Sequence, residues 1–367
     1  MTSRASQILS WALPIGSLVL AIAIRLAGGH IGTYFPIATP TLAIGMLLTT
    51  VFIVLQHAEI LAIRLGQPYG TLLLTFAVTI IEVSIIVSMM LHGDNNPTLA
   101  RQSVFSTVMI VCAGIVGLCL TLGGWQHYQQ DLKRQGTSAF LSVLTALTVI
   151  TLILPNFILA RTPGSFDPVQ LGFVSFCSVL LYGSFVFAQT GRHRDDFLDD
   201  VTHRDAVHGN LAASPSAMFI HAALLMTGLV GIVLLAEQVA MGVEDGLAVL
   251  HVDQRDKIVG TFIALLVLLP EALSAVRAAI HNELQRSLNI ALGSALATIG
   301  LTIPAVGIAS LVTGRELTLG LTSGDAVLLV LVLAISIHSF GTGRTTVLTG
   351  LVHLVIFIAF LLLIAFP

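Results

Sequence analysis

Residues 72–91 read LLLTFAVTIIEVSIIVSMML, twenty positions with a single charge, Glu82, near their middle. A helix rises about 1.5 Å per residue, so twenty apolar residues match a hydrocarbon core of roughly 30 Å. The stretch reads as a transmembrane helix, and the chain is built largely of similar ones. Of its 367 residues 56% are hydrophobic and only 10% charged, against about 25% charged in a soluble domain. Its 16 Lys and Arg against 19 Asp and Glu give a net charge of −3, so the basic excess of a nucleic-acid binder is missing. A soluble enzyme and a disordered chain are excluded with it.

Eleven apolar spans can be drawn, at about 8–28, 38–57, 70–91, 103–124, 138–160, 168–189, 217–239, 257–280, 288–313, 322–340 and 345–366. The joints between them carry turn chemistry, such as Gly66-Gln67-Pro68, Gly93-Asp94-Asn95-Asn96-Pro97 and Thr162-Pro163-Gly164. The expected fold class is all-α, a polytopic membrane protein of about eleven transmembrane helices. The first run, Ile8 to Gly28, is longer than a signal-peptide core and reads as a retained helix. One joint is long, Gly191 to Ser216, and it separates six spans from five. With the N-terminus inside, ten Lys and Arg fall on the inner side and six on the outer. That bias predicts a cytoplasmic N-terminus and a C-terminus on the far, periplasmic side of a bacterial inner membrane. Cys112, Cys119 and Cys177 lie in apolar runs and signal neither a disulfide framework nor a zinc site.

A second carboxylate matches the first. The third span runs Tyr69-Gly70-Thr71 to Glu82; the eighth runs Val259-Gly260-Thr261 to Glu271. The spans after them carry Ile115-Val116-Gly117-Leu118 and Thr298-Ile299-Gly300-Leu301. By span count the third helix crosses in one direction and the eighth in the other, the pattern of an inverted repeat. An acidic side chain at the bilayer centre costs roughly 2.5–3.5 kcal/mol and marks function by default. No Lys or Arg lies mid-span beside either Glu, so the balancing cation is expected from solution. Hard oxygen ligands suit Ca²⁺, and with fewer oxygens Na⁺. Burial also favours the protonated form of a carboxyl, so cation and protons compete for the same oxygens. Two carboxylates balance one Ca²⁺ or two protons.

Glu82 and Glu271 are therefore the expected cation- and proton-binding residues, with supporting oxygens nearby. Thr79 and Ser84 flank Glu82. Pro270 has no N–H and frees the Leu266 carbonyl four residues back. Asn289, Ser294 and Thr298 follow at roughly one-turn spacing, although small polar residues also serve helix packing. For Asn289 and Ser294 the two readings balance; for Thr298 packing weighs more. His57 and Glu59 read as a proton-entry or pH-sensing pair, or more simply as an interfacial cap. Asp195, Asp196, Asp199, Asp200, His203 and Asp205 offer a regulatory ion site in the long joint, but without EF-hand spacing a solvated loop is the plainer reading.

These stretches together resemble the cation/calcium exchanger superfamily, and within it the bacterial calcium/proton and sodium-potassium/proton antiporters. The similar segments are His57-Ala58-Glu59 with Arg64 to Gly70, Ile81-Glu82-Val83-Ser84, Pro270-Glu271-Ala272-Leu273, Gln285 to Asn289, Gly293 to Thr298, and Thr342-Gly343-Arg344-Thr345 with His353-Leu354. The resemblance implies a ten-helix core of two inverted five-helix repeats, here at 38–190 and 217–367. An extra helix in 1–30 precedes them, and a cytoplasmic loop, 191–216, joins them. It also implies ion binding at Glu82 and Glu271. The chain departs from the wider superfamily where a Gly-Asn pair precedes each Glu: it has Val78-Thr79 and Val267-Leu268. Losing two amide ligands leaves room for Na⁺ or K⁺ beside Ca²⁺.

The expected function is secondary exchange of Ca²⁺, Na⁺ or K⁺ for H⁺ by alternating access. Its partners are membrane lipid, the transported cations and protons, with no cofactor and no nucleic acid; homo-oligomerisation is left open. A cation channel or uncoupled pore is the alternative, though channel filters are usually rings of identical subunits. No nucleophile–base pair, metal motif or P-loop points to an enzyme or an ATP-driven pump.

Overall fold

The structure is a computed structural model that describes residues 4–26, 38–65, 69–92, 96–160, 162–197, 215–249 and 255–366. Among them are eleven helices, one for each apolar span. They are α1 (Arg4–Leu26), α2 (Ala38–Leu65), α3 (Tyr69–His92), α4 (Leu99–His127), α5 (Arg134–Asn156) and α6 (Pro168–Thr190). After the long joint come α7 (Pro215–Val249), α8 (Arg255–Ile280), α9 (Leu284–Thr313), α10 (Ser323–Gly341) and α11 (Val347–Ala365). Among the described residues eight helices are long and apolar enough to cross a bilayer, or nine with bent α8 taken as one span. Trp11–Ile24 in α1 and Thr75–Val87 in α3 are shorter apolar stretches.

Helix ends follow local chemistry. Pro168 opens α6, where a missing N–H costs nothing, and the Asp167 N–H donates to Gln170 Oε1 at 3.0 Å. Thr322 caps α10, and Gly314, at φ +68, ends α9 in the left-handed conformation. Three helices contain π segments: Ile110–Ile115 in α4, Val149–Ile153 in α5 and Thr298–Thr302 in α9. A feature not expected from the sequence is a short antiparallel ribbon, β1 (Gln129–Asp131) with β2 (Arg344–Thr346). Arg344 Nε donates across it to Asp131 Oδ1 at 2.9 Å.

Packing divides the chain into two compact units, Met1–Asp94 with Gly209–Arg255, and Asn95–His208 with Asp256–Pro367. Each draws on both sides of the long joint. In the first, α7 packs on α1, α2 and α3. Gly228 lies against Val54 and Pro14, and Gly231 against Ser17, so α7 has no room for side chains there. In the second unit α4 and α9 form the centre. In α4 89% of the apolar stretch is buried, against 22% in α11 and 28% in α6, which leaves those two facing outward.

Candidate functional site

Glu271 belongs to the second unit and is 4% exposed. It follows Pro270 directly, and α8 bends there by 52° between Lys257–Leu269 and Glu271–Ile280. A proline inside a helix removes one backbone bond, and sharp bends are commonest there. The buried Leu266 loses its helical donor at position 270. From the neighbouring helix, Ser294 Oγ donates to Glu271 Oε2 at 2.6 Å, both groups buried. The Glu271 carboxylate and the Ser294 hydroxyl thus form a buried oxygen pair beside the bend.

Both halves of α8 are anchored within this unit. Toward the start, Lys257 Nζ lies 3.1 Å from Asp325 Oδ2, and Ser106 Oγ and Thr261 Oγ1 are 2.7 Å apart. Toward the end, His127 Nε2 donates to the Ile280 carbonyl at 2.7 Å, and Gln130 Nε2 to that of Ala279 at 2.8 Å. His127 takes up a carbonyl at the helix end, and Gln130 shares the Ala279 carbonyl with the Asn282 N–H.

Glu82 belongs to the first unit and is 2% exposed in α3, which continues through it without a break. Thr79 is buried, but its hydroxyl donates to the Thr75 carbonyl at 2.8 Å. Ser84 is half-buried.

The other expected residues are scattered. Asn289 is held by Gln285 Nε2, which donates to its Oδ1 at 2.9 Å, and its own Nδ2 donates to the Phe197 carbonyl. Its side chain thus ties α9 to the Arg194–Phe197 turn. Thr298 is buried as the first residue of the α9 π segment. His57 is buried and meets His221 rather than Glu59: the two Nδ1 atoms are 2.9 Å apart, while Glu59 is exposed. Asp195 and Asp196 lie in the Arg194–Phe197 turn, with His193 Nδ1 3.5 Å from Asp196 Oδ2. Asp199, Asp200, His203 and Asp205 lie outside the described residues. Among the described residues no group of three or more His, Cys, Asp or Glu is placed to hold a metal ion. A cavity of about 840 Å³ in the second unit is lined by Arg134, Ser138, His193, Asp196 and Phe340, and neither glutamate borders it.

Many apolar helices, with a buried carboxylate at the break of one and another inside a second, define a class, a polytopic membrane protein, and the family it falls in is one of ion transporters, not of enzymes. The family model described as sodium/calcium exchanger protein matches this chain twice, over residues 35–191 and 220–366, and the chain belongs to that family. It is 44% identical over 361 residues to the putative ionic transporter y4hA of Sinorhizobium fredii (strain NBRC 101917 / NGR234), covering 98% of this chain and 96% of the relative. It is 37% identical over 332 residues to the sodium-potassium/proton antiporter ChaA of Escherichia coli (strain K12), covering 89% of each. The fold is that of native YfkE (TM-score 0.69, 16% identity, 95% of this chain and 97% of that one) and of the H⁺/Ca²⁺ exchanger CAX (TM-score 0.70, 16% identity, 96% and 88%).

Proposed function

We propose that this chain is a proton-coupled cation antiporter in which Glu82 and Glu271 each bind cation and protons in competition. The observation that carries the reading is the buried Ser294–Glu271 hydrogen bond at the Pro270 bend. A carboxylate held this way is desolvated yet has a donor at hand, so it can exchange a proton for a cation without leaving its place. The Leu266 carbonyl and Ser294 support Glu271; Thr79 and Ser84 support Glu82. Asn289 and Thr298 contribute through packing. Ca²⁺, Na⁺ and K⁺ are the candidate cargo. The relative named a sodium-potassium/proton antiporter supports monovalent ions, and the missing amide-bearing pair before each Glu agrees with them. The two matches of the family model support inverted repeats at 38–190 and 217–367, after an extra helix in 1–30. The excess of Lys and Arg supports a cytoplasmic N-terminus, a cytoplasmic 191–216 loop and a periplasmic C-terminus in a bacterial inner membrane. His57, paired with His221, ties α2 to α7.

The test is proton flux in everted membrane vesicles. A pH gradient is built, Ca²⁺, Na⁺ or K⁺ is added, and wild type is compared with Glu82→Gln and Glu271→Gln. A cation should collapse the gradient in wild type and in neither variant, with equal protein in the membrane. Wild-type exchange in either Gln variant would overturn the site. Conduction without proton movement would favour the uncoupled pore.

A further inference from the structure

The π segment of α4 leaves one backbone group without its helical partner. In an α-helix the Val116 N–H would bond the Cys112 carbonyl, four residues back. Here it bonds the Val111 and Ala113 carbonyls and passes Cys112 over. The replacement donor comes from another helix: His353 Nδ1, on α11, lies 2.7 Å from the Cys112 carbonyl oxygen. A carbonyl can only accept, so Nδ1 carries the proton. The ring is fully buried, its Nε2 is 3.1 Å from Ser339 Oγ, and it stacks on Phe340. The seam between α4 and α11 is tight: a Cβ at Gly350 would collide with the Thr121 nitrogen. His353 therefore cannot draw back from α4.

We infer that His353 is a positioning residue for the ion site, holding the α4 bulge open by supplying the Cys112 carbonyl with its donor. The consequence travels along α4. A bulge inserts one residue, and absorbing it would turn Leu99–Met109 by about 100° and shift it by about 1.5 Å relative to Val116–His127. Leu99–Met109 carries Ser106, which bonds Thr261, and Ser103, whose nitrogen would be 3.1 Å from a Cβ on Gly260. Those two contacts hold the Lys257–Leu269 half of α8, which ends at the bend before Glu271. With the bulge closed, Ser106 no longer faces Thr261, and the half-helix loses its guide.

This inference rests on Glu271 as the ion site, so the experiment reads both transport and structure. In a background with Cys112, Cys119 and Cys177 replaced by Ala, Ser106→Cys with Thr261→Cys should cross-link under mild oxidation. His353→Asn keeps an amide donor close to the Nδ1 position but cannot titrate. It should retain the cross-link, the wild-type pH profile and the half-saturating cation concentration. His353→Leu removes the donor at similar volume. It should lose the cross-link and raise the half-saturating concentration about tenfold or more, the size of losses from outer-shell partners at ion sites. Should the Leu variant fail to fold, His353→Gln, whose amide sits one bond too far along, should fold and show both defects. Wild-type cross-linking and affinity in the Leu or Gln variant would overturn the inference. So would a shifted pH profile in the Asn variant, which would make the imidazole a proton carrier. The cross-link keeps its meaning even where no cation drives exchange.

Discussion

The helices that carry the two glutamates are nearly equal in length, 24 residues in α3 and 26 in α8, but they treat their backbones differently. Around Glu82 the helix is continuous, so side-chain oxygens are its local resource. Around Glu271 the helix is broken at Pro270, and the serine hydroxyl of α9 donates to the acid. The residue preceding Glu82 is Ile81, which is fully buried and keeps its N–H. The matched spans thus carry the same acid in two settings, one inside an unbroken helix and one at a helix's fracture. A repeat can preserve a charge while varying what surrounds it, and a single proline is enough to make the difference.

That contrast can be broken most severely by removing the fracture. Pro270→Ala gives the Leu266 carbonyl its donor back, so α8 should straighten. Cation-driven proton flux should fall by about two orders of magnitude, the scale reached when an outer ion shell is lost. The purified variant should melt no lower than wild type. The reverse change, Ile81→Pro, should lower stability by ~3 kcal/mol or more, since an interior proline loses a bond and clashes with the turn before it. A thermal melt in detergent reads that loss. A milder probe is Ser294→Ala, which takes a donor from a buried carboxylate. Hydrogen bonds to charged groups contribute about 1.5–3 kcal/mol, so the apparent cation affinity should drop about tenfold. Thr79→Ala should matter least, within about fivefold, because its hydroxyl proton is committed to the Thr75 carbonyl and a neutral bond of this kind contributes about 1 kcal/mol or less. Vesicle titrations with both variants at equal protein would rank them. Equal losses at Ser294 and Thr79 would mean that the two glutamates have equivalent surroundings.

Much of this architecture was legible because lipid imposes it. Every helix has an apolar span behind it, and the two mid-span glutamates stand out against that background. Glu82, Glu271 and the weakness at Pro270 could be read one residue at a time. What escaped are relations between distant positions. The His57–His221 pair joins residues 164 apart, and His353 meets Cys112 across 241 residues. No period or spacing encodes such a pair. The same holds for Asn289: its spacing puts it on a face with Ser294, and the structure ties its amide to a carbonyl in the Arg194–Phe197 turn. The β1–β2 ribbon is three residues per strand, too short for an alternating pattern to declare itself. The π segments carry no local signature, since a bulge persists when something elsewhere satisfies the group it strands.

The interleaving of the two packing units has a consequence for how the protein is made. The chain leaves the ribosome N-terminus first, yet α1, α2 and α3 belong with α7, which is synthesised only after α4, α5 and α6. The Gly228 and Gly231 contacts that fit α7 against α1 and α2 cannot form until Pro215–Val249 has entered the bilayer. A nascent chain stopped at His208 therefore holds three helices whose packing partner does not yet exist, and this is the stage at which membrane proteases and insertion chaperones would meet it.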